Sequence, residues 1–157
     1  MHIAWNDLSI LQARSIDEYA FVQPLINIFN GIKSHSIEEI FSFIFYSYGF
    51  LYFFLNFISS YIYIDDIGNP NFLSSIRLLA ISIFCLTILL FYKIINQTKA
   101  STSEKMLHIL VVLAMPAMWI FSGYIHPDFL MLVLFLASVL FMIKAGTKIN
   151  RYYWFSI

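Results

Sequence analysis

Three groups of residues in this chain are of the right type and spacing to do chemistry. Asp17 and Glu18 follow Ser15 at a helix start. At headgroup depth one such carboxylate can take the proton of an acceptor hydroxyl while its neighbour orients the acceptor or binds a metal. Both acids equally suit the first turn of a helix, where they complement the helix dipole whatever the function. His126-Pro127-Asp128 lies where one apolar run ends and the next begins. An imidazole and a carboxylate at such a corner are costly unless paired or open to a polar cavity, whereas Pro127 and Asp128 are also what a plain helix start would use. Arg77 opens another apolar run. Its guanidinium fork matches phosphate oxygens, and an Arg at that point also serves as an ordinary anchor among headgroups. Asp65-Asp66 read as a solvated turn, Glu38-Glu39 as a helix start and His108 as a near-interface residue. There is no Gly-rich phosphate loop, no Ser-His-Asp spacing and no pair of His at helical spacing, so nucleotide-using chemistry has no support.

The elements that must position these residues are helical and very apolar. Spanning a bilayer takes about 20 predominantly apolar residues. Arg77 to Tyr92 and Met106 to Ser122 read as spans, and Phe129 to Ile143 becomes one if Ala145 and Gly146 extend it while Lys144 snorkels. Phe41 to Ile64 is long enough but holds Tyr46, Tyr48, Tyr52, Tyr61 and Tyr63 with Asn56, Ser59 and Ser60, which suits an interfacial segment as well as a span. Ser15 with Glu18, Ser36 with Glu39 and Ser101 with Glu104 each fit the capping box. After the first, Gln23, Asn27 and Asn30 form one polar stripe on a helix expected to lie in the headgroup plane, closed by Gly31 and Lys33. Gly68 to Asn71 mark the turn before Arg77.

Composition agrees. Of 157 residues, 61% are hydrophobic, 19% aromatic and 11% charged, against about a quarter charged in an ordinary soluble domain. Nine basic and nine acidic residues cancel, which excludes a nucleic-acid-binding surface, and the single cysteine excludes a disulfide within the chain. No secretory signal is visible at the start. If Phe41 to Ile64 does not cross, the segments 93–105 and 144–151 share one side and hold six of the nine basic residues with Glu104 alone among the acids. The positive-inside rule then places the other eight acids outside. The expected class is an all-α polytopic membrane protein with three to four transmembrane helices and outer-face juxtamembrane helices. Residues 1–75 would form a first outer loop and 76–157 the transmembrane part, with a second outer loop near 124–128.

The order of features is Ser15-Ile16-Asp17-Glu18-Tyr19-Ala20-Phe21, Tyr48-Gly49-Phe50-Leu51-Tyr52, Arg77-Leu78-Leu79, a basic turn, Ala114-Met115-Pro116 and His126-Pro127-Asp128-Phe129-Leu130. This resembles the N-terminal half of membrane glycosyltransferases of the GT-C fold, such as the protein O-mannosyltransferases and the aminoarabinose transferases. The resemblance covers most of the chain, although the proline pair that many members carry near Tyr48-Gly49 is missing. It implies a transferase that moves a sugar, with inversion, from a polyprenyl-phosphate carrier to an acceptor hydroxyl at the outer face of a bacterial inner membrane.

By position, the resemblance makes Asp17 the base, Glu18 its assistant toward acceptor or metal, and Asp128 with His126 the contribution of the second outer loop. Arg77, by its own chemistry rather than by the resemblance, is the candidate for holding an anionic group such as a lipid phosphate. The resemblance names no definite cofactor; a divalent metal would fall to Glu18. The implied partners are the lipid-linked sugar and membrane lipid, with the acceptor left open. The resemblance also expects a chain about three times longer, which makes these residues a fragment. A transporter or channel fragment, in which His and Asp bind a solute, and a non-catalytic membrane subunit are the alternatives.

Overall fold

A computed structural model of the chain describes residues 16–42, 50–116, 118 and 124–146, with the backbone alone at 16–18. Every regular element among these residues is helical: α1 Ile16–Ser34, α2 Ile37–Ile40, α3 Phe50–Ser60 continuing into a 3-10 turn Tyr61–Tyr63, α4 Pro70–Ile95, α5 Thr102–Ala114 and α6 Asp128–Ala145. Two of them, α4 with 26 residues and α6 with 18, are long and apolar enough to cross a membrane. Contacts group the chain into two compact units. The first comprises residues up to Ala80 together with Tyr124–Pro127, and the second comprises Ile81–Gly123 and the residues from Asp128 onward.

The core of the first unit is built on α1. Phe21, Val22, Leu25, Ile28 and Phe29 are buried at the spacing of one helical face, and Gly31 continues it. Phe29 is central: its ring lies 5.5 Å from Phe57 of α3 and 5.3 Å from Phe72 at the start of α4. The Gln23–Asn27 part of the polar stripe holds the protein together internally. Gln23 Nε2 donates to Asn27 Oδ1 at 3.2 Å, and Asn27 Nδ2 lies 3.2 Å from Ser42 O and 3.3 Å from Ser42 Oγ, tying the chain after α2 back onto α1.

Gly31 does not close α1. The helix runs on to Ser34 and stops because His35 takes a left-handed conformation, φ 54°, while Ser36 N–H donates to Gly31 O at 2.8 Å and His35 N–H to Ile32 O at 3.3 Å. This is the six-to-one and five-to-two bonding of a Schellman end. The glycine is needed for close approach instead: a Cβ on Gly31 would stand 2.7 Å from both Cγ1 and the backbone N of Ile40. The same end explains why the Ser36–Glu39 box is half made. Ser36 Oγ accepts from Glu39 N–H at 3.2 Å, but Ser36's own N–H is engaged by Gly31, and Glu39 Oε2 accepts from Ser34 Oγ at 2.9 Å. The Ser101–Glu104 box is complete, with Ser101 N–H donating to Glu104 Oε2 at 2.7 Å. The Ser15–Glu18 box lies outside the described residues.

Two apolar runs differ from their expected form. α4 begins seven residues before Arg77, because Asn69 Oδ1 accepts from Asn71 N–H at 2.9 Å as an N-cap and Pro70 fills the first helical position. The run Met106 to Ser122 is interrupted: α5 ends at Ala114 and Met115 is extended, φ −68° and ψ 117°. The residue before a proline is pushed out of the helical region, and Pro116 follows. α5 is therefore about 20 Å long, short of a 30 Å hydrocarbon layer. In the Phe41 to Ile64 run, residues 43–49 lie outside the described set, and α3 supplies only about 16 Å of helix. The described helices thus include two of membrane-crossing length, where three to four spans were expected.

Candidate functional site

Asp17 and Glu18 lie in the first turn of α1, and their side chains fall outside the described residues. What α1 offers next to them is described. Phe21, one helical turn after Asp17, is 5% exposed, and the His126 imidazole packs on it in T-shaped fashion, with centroids 4.5 Å apart and planes at 73°. His126 is held there by its neighbours. Ile125 and Pro127 are both fully buried, and His126 N–H donates to Tyr124 O at 3.0 Å, bending the chain just before α6. The imidazole remains half-buried between these two fixed points.

Arg77 is not at a helix end. It lies two turns into α4 and is 8% exposed, on the face that also buries Phe72, Leu73, Ile76 and Ala80. A residue anchoring a helix end among headgroups would keep its guanidinium in water, so burial favours a role inside the protein over that of an anchor. The Asp17-Glu18 backbone, Arg77 and His126 all belong to the first unit. Asp128 is exposed, opens α6 and belongs to the second.

Sequence reasoning gave no site role to the polar row on α3. Tyr52, Asn56 and Ser60 are buried at four-residue spacing, with Asn56 Nδ2 donating to Tyr52 O at 2.8 Å and Ser60 Oγ to Asn56 O at 2.7 Å. The i, i+4 recurrence was the available signal. On the same helix Phe50, Leu51, Phe54 and Ile58 are exposed while Phe53 is buried beside the polar row, so the outward side is apolar and the inward side mixed. Among the described residues, no three His, Cys, Asp or Glu side chains stand close enough to share a metal ion. The metal assignment to Glu18 falls on a side chain outside the described set. Comparison of the chain with known protein families, with curated proteins and with solved structures gives no match.

Proposed function

We propose that the chain is part of a membrane-embedded glycosyltransferase acting on a polyprenyl-phosphate sugar, with Asp17 as the base and His126 and Arg77 as substrate-binding residues. The observation that carries the membrane part is the apolar surface that the helices turn outward while polar side chains are buried alongside apolar ones such as Phe53, Phe72 and Ile76. α3 buries Asn56 and Ser60 while exposing Phe54 and Ile58, and α4 buries Arg77 and Thr87 while exposing Leu78, Leu86 and Leu89. In water such surfaces would be an aggregation hazard; in lipid they are the low-energy arrangement. Only 28% and 22% of the apolar stretches of α4 and α6 are buried, unlike the core helices of a water-soluble domain.

The chemistry follows from where a lipid-linked sugar sits. Its phosphate lies at headgroup depth, so an acceptor hydroxyl must be deprotonated there. Phosphate is itself a good leaving group, and the step needs a positive group to stabilise the departing charge. Arg77 can supply that charge, Asp17 can take the proton, and the hydroxyl attacks the anomeric carbon from the face opposite the phosphate. Glu18 orients the acceptor or holds a divalent ion. In this reading eight of the nine acids face the outside of a bacterial inner membrane, with α4, the run Met106 to Ser122 and α6 as crossings.

The test is transfer of label from a radiolabelled polyprenyl-phosphate sugar by membranes carrying the chain. Asp17→Asn abolishes transfer while the protein level holds; unchanged turnover removes Asp17 as base. A second reading has its own observation. The break at Met115-Pro116, within an apolar run, is what a transporter uses to build a solute site. Solute uptake without sugar transfer selects that reading.

A further inference from the structure

The turn between α4 and α5 has a composition found nowhere else among the described residues. From Ile67 to Pro127 the only acid is Glu104, whereas Lys93, Lys99 and Lys105 fall within thirteen residues. Gln97, Thr98, Ser101 and Glu104 are engaged within the turn itself. Thr98 Oγ1 donates to Ile95 O at 2.7 Å and Gln97 Nε2 to Lys93 O at 3.4 Å, closing α4, and Ser101 with Glu104 closes the start of α5. Glu104 Oε2 accepts from both Ser101 N–H and Ser101 Oγ, so its charge is directed at the helix start rather than toward a lysine. No ion pair among the described residues engages Lys93, Lys99 or Lys105. Lys93 and Lys99 are exposed, and so is His108 one turn into α5.

Several apolar residues around these lysines face outward too. Tyr92 is 48% exposed, Met106 63% and Leu107 60%, and α5 has no buried residue at all. Cations interleaved with outward-facing Tyr, Met and Leu at the end of a membrane-length helix fit one kind of surface, the boundary where acyl chains meet phosphates. An acidic peptide would satisfy the lysines but leave Met106 and Leu107 in water. A neutral lipid surface would cover Met106 and Leu107 but leave the lysines' charge uncompensated.

We propose that the α4–α5 turn and the first two turns of α5 form a binding surface for anionic phospholipid, with Lys93, Lys99 and Lys105 contacting phosphates and Tyr92, Met106 and Leu107 seated among acyl chains. This rests on the reading of α4 as a membrane crossing and is independent of sugar transfer. Each lysine near an anionic surface contributes about a fivefold change in affinity, so three together amount to roughly a hundredfold.

The experiment uses the full chain in mild non-ionic detergent, titrated with phosphatidylglycerol, phosphatidylcholine or inorganic phosphate while thermal unfolding is followed. Phosphatidylglycerol raises the unfolding temperature more than phosphatidylcholine at equal concentration, and phosphate alone gives no such rise. In a K93Q/K99Q/K105Q variant the difference between the two lipids collapses, while K93R/K99R/K105R keeps it. Equal stabilisation by both lipids, a preference that survives the Gln variant, or a rise with phosphate alone overturns the proposal while leaving the membrane reading intact. Stabilisation by neither lipid overturns both.

Discussion

The His126 ring stands edge-to-face on Phe21 at 4.5 Å, one helical turn from Asp17. That contact joins the corner before α6 to the start of α1, and it gives His126 two separable jobs. An imidazole edge on a phenyl ring is a packing interaction, whereas in the proposed transferase the same imidazole also binds substrate. His126→Phe keeps the first and removes the second. Its unfolding temperature stays close to that of the parent, while under the proposed function sugar transfer falls at least about tenfold, as expected when a positioned hydrogen-bond donor is lost. A double-mutant cycle of Phe21→Ala with His126→Ala gives a coupling of about 0.5–1.5 kcal/mol. Transfer unchanged in His126→Phe assigns His126 to packing alone.

Gly31→Ala tests the α1–α2 junction. The new Cβ would meet Ile40 Cγ1 and Ile40 N at 2.7 Å and Ser36 O at 2.9 Å. Two of those atoms are backbone and cannot swing away, so α2 must separate from α1. The expected loss is about 1–3 kcal/mol, the range for overpacking. Faster amide exchange over residues 37–42 accompanies it, because the Asn27–Ser42 bonds are broken together with the contact. Trimming the neighbour with Ile40→Ala does not rescue the variant, since the backbone atoms remain.

His35→Gly moves stability the other way. A side chain in the left-handed region costs about 1–2 kcal/mol, and glycine gives back roughly 0.5–1 kcal/mol of that through greater freedom in the unfolded chain. The net expectation is a gain of a few tenths to about 1 kcal/mol, read as a higher unfolding temperature. The Ser36–Gly31 and His35–Ile32 bonds already define the turn, so its geometry is unchanged.

These two positions show where the sequence was readable and where it was not. A capping box is local, so the Ser101–Glu104 pair could be recognised from two letters, and the all-helical class followed from uninterrupted apolar runs. Gly31 was misread because glycine serves two purposes, ending a helix or admitting a neighbour's backbone, and only the position of Ile40 distinguishes them. The start of α4 was placed late because the count of apolar residues passed over Asn69 and Pro70, which are helix-start signals in their own right. Met106 to Ser122 passed as one span because hydropathy carries no information about φ and ψ, whereas Pro116 acts on Met115 through sterics alone. For the site, Asp17, Glu18, His126, Asp128 and Arg77 could be nominated by residue type. The edge contact of His126 on Phe21 depends on how Ile125 and Pro127 are buried, and no spacing encodes it.

The start of α5 provides a pH-dependent readout in the basic turn. Glu104 accepts hydrogen bonds from Ser101 N–H and Ser101 Oγ, and these, with a smaller contribution from His108, hold its carboxyl below the usual carboxylate range. A carboxylate whose pKa is lower folded than unfolded adds stability that is fully present above the unfolded value, about 4.3 for glutamate, and is lost as pH falls through the folded value. Acidification from neutral pH therefore leaves the Ser101 amide protected until the pH drops below that ordinary value, and then releases it along with the first turn of α5. Because Glu104 is fully exposed, the effect shows as local fraying rather than global unfolding. Glu104→Gln keeps a side-chain oxygen able to accept from the Ser101 amide but has no proton to gain. Its Ser101 amide exchange, corrected for the intrinsic rate, stays flat through the acid range in which the parent's rises. A parent profile that is equally flat shows that the carboxylate does not hold the cap.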